Sequence, residues 1–267
     1  TITRPPAVRL ALGVSYLGKN YQGWQSQPSG LTVQDRLEQA LGLFATEPIS
    51  TVCAGRTDAG VHGLMQVVHF DTHLTRSPVS WVRGTNTFLP TDIAVQWAQA
   101  IPDHFHARAS AVARRYVYVL LESAVRPGIE AGRAGWVFRP LDGPAMRQAA
   151  THLRGEHDFS SFRASGCQAL SPVKTLSRID ISRRGAYWRF EFEASAFLHH
   201  MIRNIMGCLV RIGQGTQPAE WMKFVLDARD RDAAAPTFSP DGLYFLGPVY
   251  ETHWGLPERT PAYDWLP

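Results

Sequence analysis

The order of strand-like and helix-like segments predicts an α+β fold made of two similar units. Three observations carry this reading. Each half of the chain runs strand, helix, strand, helix, strand. The second half holds two alternating runs joined only by a short Arg-Arg-Gly link, which fits an antiparallel hairpin and not a crossover. Neither G-x-x-x-x-G-K nor a G-x-G-x-x-G following a strand occurs, so the phosphate loops of doubly wound nucleotide-binding folds are missing. The repeat is one of pattern, not of residue identity. The expected divisions are 1–104, 105–250 and a tail over 251–267.

The first element is "VRLALGVSYL", in which Val8, Leu10, Leu12, Val14 and Tyr16 share one face of a half-buried strand. "TVQDRLEQALGLFA" follows as a helix with Val33, Leu37, Ala40, Leu41 and Phe44 on one stripe and Thr32 as N-cap. "MQVVHFDT" and "IAVQWAQA" are strands, and "WVRGTNTFLP" between them is a short helix or turn closed by Pro90. In the second half "RRYVYVLLE" is a strand, and "GPAMRQAATHLRG" is a helix opened near Pro144 and stopped by Gly155. "VKTLSRIDIS" and "YWRFEFEAS" form the hairpin, linked through Arg183, Arg184 and Gly185. "FLHHMIRNIMGCLVRIG" predicts a strongly apolar helix, and "PAEWMKFVLDA" one more.

With 267 residues, 45% of them hydrophobic, the chain can bury one large core or two smaller ones, and its 19% charged residues exclude a disordered chain. No apolar run approaches a membrane span, and the first ten residues lack the apolar stretch of a secretory signal. Cys53, Cys167 and Cys208 are far apart and form no metal-type pair, which fits reduced thiols in a cytoplasmic protein. The net charge of +4 is uneven: residues 1–102 carry +1, 103–215 carry +7 and 216–267 carry −4. The middle segment is where a polyanion would be drawn. All basic residues but Lys19, Lys174 and Lys223 are arginine, which suits phosphate but also follows from a G+C-rich genome.

The stretch with most chemical content is "AGRTDAGVHG", residues 54–63. Gly55 and Gly60 let the backbone turn on either side of Asp58, with Arg56 two residues away. An aspartate held on such a turn and kept ionised by a cation serves as nucleophile or base. The plainer alternative is an Asx-turn beside an exposed arginine. A glycosidase would need a second carboxylate, and none lies close in sequence. A metal site could draw on Asp58, His62, His69 and Asp71, but no helical ligand spacing supports it. His199 and His200 are adjacent on the apolar helix and are expected to point to different sides. Arg114, Arg115, Tyr116 and Tyr118 interleave charge with rings on one strand, as a surface that stacks on bases would, or as two core tyrosines beside solvated arginines would. Arg203 lies in an apolar helix and needs a carboxylate or phosphate partner, for which Asp58 is a candidate, unless solvent reaches it at the helix end.

Taken together these stretches resemble the tRNA pseudouridine synthases of the TruA type. "GRTDAGVHG" at 55–63 is similar to that family's catalytic motif. "GWQSQ" at 23–27, "TVQDRLEQAL" at 32–41, "QVVHFD" at 66–71, Asn86 with "LP" at 89–90 and "FHARASAVARRYVY" at 105–118 follow in the family's order. "DFSSFR" at 158–163, "AFLHHMIRNIMGCLVRIG" at 196–213 and "APTFSPDGLYFLGPVY" at 235–250 complete it. The resemblance spans residues 8 to 250.

That resemblance implies two ferredoxin-like α/β units whose antiparallel sheets join into one larger central sheet flanked by helices. It implies isomerisation of uridine to pseudouridine at positions 38, 39 and 40 of the tRNA anticodon stem-loop, with base flipping and with tRNA in a basic cleft. It also implies a homodimer and no metal, nucleotide or organic cofactor. Asp58 matches the essential aspartate, as nucleophile or base. Tyr116 matches the tyrosine stacked on the target base, and Arg203 the arginine paired with the aspartate. Arg56 matches the motif arginine that fills the space of the flipped nucleotide and touches phosphate, and Leu243 the apolar wall of the base pocket. Arg114 and Arg115 join the backbone grip. Leu17, Gly84, Thr85 and Phe245 depart from the family's usual residues, all outside this catalytic set. The rival from another class is a non-catalytic RNA-binding protein or tRNA chaperone; a base-excising enzyme would release free uracil.

Overall fold

The computed structural model describes residues 3–258. The chain is mixed α/β and divides into two compact units. Among the described residues, the first holds 3–112 with 245–258, and the second holds 113–244. The first unit therefore runs past the expected boundary at 104 and regains the chain after 244.

In the first unit the elements are β1 (Val8–Tyr16), α1 (Val33–Ala45), β2 (Val52–Cys53), β3 (His62–Thr72), α2 (Pro78–Phe88) and β4 (Ile93–Ile101). β1 lies between β3 and β4 and is antiparallel to both, Leu12 facing Val68 on one side and Ala98 on the other. Its central position explains why alternation underestimates its burial: Ala11 is as inaccessible as Leu12. The α1 cap is as expected, with Thr32 Oγ1 accepting the Asp35 N–H at 3.2 Å. Leu10, Leu12, Val14 and Tyr16 pack with Val33, Leu37, Leu41, Phe70 and Trp81 on the helix-covered face.

The other face of this sheet is closed by chain that looks like loop in sequence. Ala11, Val67 and Ile101 pack with Phe105 and Ala107, and with Trp97, Tyr250, Trp254 and Leu256. Phe105 meets Tyr250 edge-on at 5.1 Å and Trp254 at 5.2 Å. Residues 105–107 and 250–256 thus form part of the first core, which is the physical reason for the division after 112. The remaining tail, 259–267, lies outside the described residues.

The second unit contains β5 (Ala111–Glu122) from Ala113 onward, β6 (Gly135–Val137), α3 (Gly143–Thr151), β7 (Gly155–Asp158), β8 (Val173–Arg184), β9 (Tyr187–Ala194), α4 (Met201–Gly213) and α5 (Trp221–Ala228). β5, β9, β8 and β7 are adjacent in that order, and β8 and β9 form the expected hairpin, with Arg184 opposite Tyr187. β6 adds a short parallel pairing to β5. α3 packs on α4 and β8, burying Met146, Ile205 and Leu209. A last strand, β10 (Leu243–Tyr250), begins in the second unit and continues into the first, where it follows β3 in the sheet.

The expected helix over 197–213 is shorter. His200 adopts φ 62°, a left-handed conformation that no helix continues through, and α4 starts at Met201. The two histidines do not diverge: their rings stack, with centroids 4.0 Å apart. No helix among the described residues is long and apolar enough to cross a membrane.

Candidate active site

Asp58 sits on a loop between β2 and β3 that is bound at nearly every step. The Ala54 N–H donates to Val67 O at 2.9 Å, continuing the β2–β3 pairing by one residue. The Gly55 carbonyl accepts the Gln66 side-chain amide at 2.6 Å. Thr57 is held twice, its carbonyl by the Trp24 N–H at 3.0 Å and its hydroxyl by Tyr16 Oη at 2.9 Å. The Asp58 carbonyl then accepts the Val61 N–H at 3.0 Å, closing a turn over 58–61. Gly60, the third residue of that turn, has φ 83°, which is the type II requirement for glycine.

Gly55 does not take a left-handed conformation, and a Cβ there would stand 3.5 Å from the Phe245 ring, an ordinary contact, so the turn expected at Gly55 does not require glycine. Gly23 is required on two counts. Its φ is 81°, and a Cβ there would stand 2.8 Å from the Thr57 oxygen. The "GWQSQ" stretch is therefore the floor of the Asp58 loop, with Trp24 fully buried beneath it. Asp58 itself is half-buried and Arg56 is exposed.

His62 and His69, both on β3 after this loop, are used by the fold. His62 is buried and its Nδ1 accepts the Gly18 N–H at 2.9 Å. His69 is buried and its Nδ1 accepts the Ala107 N–H at 3.0 Å. Burial, with Arg9 and His106 nearby, lowers the His69 pKa to about 4, against a smaller opposing pull from Asp71. Asp71 takes two bonds from Arg9, at 2.9 and 3.1 Å. These bonds account for His62, His69 and Asp71, three of the four members of the metal set weighed from sequence. The three cysteines are free thiols, and Cys53 lies directly before the loop. Burial pushes its thiol up, while Arg108, also hydrogen-bonded to it, and Arg56 pull it back.

In the second unit, Tyr116 is half-buried on β5 and meets Phe197 edge-on at 5.1 Å, whereas Tyr118 is a core residue whose hydroxyl donates to Ser239 O at 2.7 Å. Of the two readings of this tyrosine pair, the core one holds for Tyr118. Arg203 exchanges bonds with Phe238: its Nε donates to Phe238 O at 2.9 Å, and Phe238 N–H donates to Arg203 O at 3.1 Å. Tyr118 and Arg203 together hold the segment leading into Leu243, which is buried at the start of β10.

The paired arginines differ. Arg114 Nη1 donates to Ser195 O at 3.0 Å. Arg115 forms an ion pair with Glu191 and a second with Glu193 at 3.5 Å. Glu191 is buried and also pairs with Arg178 at 3.1 Å and Arg189 at 2.6 Å. Burial would raise its pKa, but the bonds from Arg115 and Arg189 outweigh that and hold it at about 2. The sequence did not single out Gln66, Tyr16 or Arg108. Gln66 alternates into the core from a strand that is otherwise apolar there, which was the available signal.

The family described as tRNA pseudouridine synthase matches residues 13–108 and 149–251. Proteins named tRNA pseudouridine synthase A are similar over 97% of this chain and the whole of their own length. Those of Polaromonas naphthalenivorans (strain CJ2), Acidovorax ebreus (strain TPSY) and Paracidovorax citrulli (strain AAC00-1) are 74%, 72% and 70% identical to it.

Proposed function

The chain belongs to the tRNA pseudouridine synthase family, and on that premise we propose that it isomerises uridine to pseudouridine at positions 38, 39 and 40 of the tRNA anticodon stem-loop. The reaction breaks the bond from ribose C1′ to uracil N1, forms one from C1′ to C5, releases the C5 hydrogen as a proton and leaves N1 carrying a proton taken up in its place. Nothing is oxidised or reduced. The observation that carries the reading is the Asp58 loop, fixed by Gln66, Trp24 and Tyr16 and closed by Gly60. A carboxylate on a backbone this constrained is preorganised for attack or proton removal.

In this reading Asp58 is the nucleophile or the base, and Arg203 pairs with its carboxylate. Tyr116 stacks on the target base and Leu243 forms the apolar wall beside it, as an enzyme acting on a flipped base requires. Arg56 takes the space vacated by the base and a neighbouring phosphate. Arg114 and Arg115 contact the backbone, Arg115 with part of its charge already answered by Glu191 and Glu193. The +7 charge of residues 103–215 supports a grip on phosphates that falls steeply with salt. The motif set also supports a homodimer acting in the cytoplasm; sedimentation of the purified protein tests the dimer.

The test is tritium release from tRNA carrying uridine labelled at C5. Wild-type protein is expected to release tritium without free uracil, and Asp58→Ala to release none while still binding tRNA. Binding without release by the wild type, across several unmodified tRNAs, would leave a non-catalytic RNA-binding protein.

A further inference from the structure

α4 is mostly apolar, yet the residue after Arg203 is an asparagine, and Asn204 is fully buried. A leucine of similar volume would fill that place without the cost of burying an amide. The amide holds chain on both sides of the helix. Its Nδ2 donates to Phe162 O at 2.8 Å, and its Oδ1 accepts Arg231 Nη2 at 3.0 Å and the Thr237 hydroxyl at 2.7 Å. Arg231 also donates to Thr237 Oγ1 at 3.2 Å and to Ala235 O at 2.9 Å, bracing the segment 231–237 from within. Gly207 and Cys208, three and four residues on, share this face of α4. A Cβ on Gly207 would stand 2.4 Å from Pro236 O, and Cys208 Sγ accepts the Ala235 N–H at 3.4 Å, so the segment lies directly on the helix. Two adjacent residues of α4 therefore grip two adjacent residues of the segment. Asn204 takes the Thr237 hydroxyl, and Arg203 takes both backbone groups of Phe238.

We propose that Asn204 is a positioning residue for Arg203: by holding Thr237 it fixes the Phe238 carbonyl, and that carbonyl fixes the Arg203 guanidinium through Nε. This deepens the uridine-isomerising reading above and rests on its pairing of Arg203 with the Asp58 carboxylate. A guanidinium is planar, so a bond at Nε sets where both Nη atoms point. Phe238 lies between two anchors. Tyr118 holds the far side by its bond to Ser239 O, and Asn204 holds the near side through Thr237. A fork that must meet a carboxylate gains from being set beforehand, since a misplacement of about 1 Å costs about a hundredfold in rate. An amide that served the core alone would affect the melting temperature and leave the guanidinium where it is.

The full-length protein is tested in two ways. Turnover is followed by tritium release from tRNA labelled at uridine C5. Position is followed without turnover, by solvent exchange of the Arg203 Nε–H in proton–nitrogen NMR spectra, its signal being the one lost in Arg203→Lys. Thr237→Val removes only the hydroxyl. It is expected to lower kcat at least about tenfold with KM for tRNA within about twofold. It should also speed the Nε–H exchange at least about fivefold, as loss of a hydrogen bond's support would. Thr237→Ser, which keeps the hydroxyl, should recover both. Asn204→Leu should reproduce the losses of Thr237→Val, and the double variant Asn204→Leu/Thr237→Val should lose no more than Asn204→Leu alone, because the two act in series. An unchanged Nε–H exchange rate in folded Thr237→Val, or additive losses in the double variant, would overturn the proposal. If Asn204→Leu does not fold, Thr237→Val and its recovery by Thr237→Ser decide alone. A wild type that releases no tritium, with exchange still faster in Thr237→Val, would sink the isomerase reading and leave the positioning of Arg203 standing.

Discussion

Gly23 lies directly against Thr57: the adjacent Trp24 N–H donates to the Thr57 carbonyl at 3.0 Å, and a Cβ on Gly23 would stand 2.8 Å from that oxygen. Thr57 immediately precedes Asp58, so any shift here moves the carboxylate. Gly23→Ala adds strain from its φ of 81° to that clash, for a stability cost of about 1–3 kcal/mol. Tritium release should fall by at least about a hundredfold, because small misplacements of reacting groups are that costly. Comparing release rates with the melting temperature separates misplacement from unfolding; full activity in a folded variant would show that the loop does not need this floor.

Gln66→Leu tests the other side of the same loop. It leaves the Gly55 carbonyl without its 2.6 Å donor while keeping the side-chain volume similar. The expected loss is about 1–3 kcal/mol, the cost of orphaning a buried acceptor. Urea unfolding measures it, and a change under about 0.5 kcal/mol would mean that another donor had replaced Gln66.

Glu191 is the shared partner of Arg115, Arg178 and Arg189. Glu191→Gln should destabilise the protein by about 3–5 kcal/mol, since it leaves neighbouring cations partly buried without their counter-charge. With a folded pKa of about 2, below its ordinary value of 4.5, the glutamate contributes stability above pH 4.5 that is lost as pH falls through 2. The difference between wild type and variant should therefore be the same at pH 8 and pH 5.5. A difference that shrinks over that range would place the titration higher.

His69 contributes with the same sign but in a higher pH window, because burial favours its neutral form. Its folded pKa of about 4 lies below the ordinary 6.5, so the unfolded chain takes up a proton first as pH falls. Stability should be complete above pH 6.5, decline between 6.5 and 4, and level off below, with a total of at most about 3.5 kcal/mol at about 1.4 kcal/mol per pKa unit. Urea midpoints at pH 7.5 and 4.5 should fall further in wild type than in His69→Asn, which has no group to titrate; equal falls would show that His69 is not the titrating residue.

Most of the regular elements were legible along the chain. Thr32 capping α1, the β8–β9 hairpin and the apolar stripe of α1 are local features, set by residues a few positions apart. The candidate motif was legible for the same reason, because Arg56, Asp58 and Gly60 sit on one short loop. Local patterning misled where burial came from distant chain. β1 alternates like a half-exposed strand, yet both faces are covered, one by α1 and α2 and the other by residues 105–107 and 250–256. The helix over "FLHHMIRN" was drawn four residues too long because periodicity does not reveal the left-handed His200.

The amino-acid order determined the fold class, the family and the placing of Asp58 on a turn, since those depend on contiguous patterns and on motifs in series. Tertiary structure alone decided the rest. It decided that Gly23 and Trp24 form the floor of the Asp58 loop and that Tyr118 is a core residue. It decided that Arg115 is answered by Glu191 and that Ala107 is held by His69. These pairs are separated by 33 to 76 residues, or turn on whether a face is covered. Hydrogen bonding and burial across such separations are set by packing in three dimensions, which no periodicity in the chain encodes.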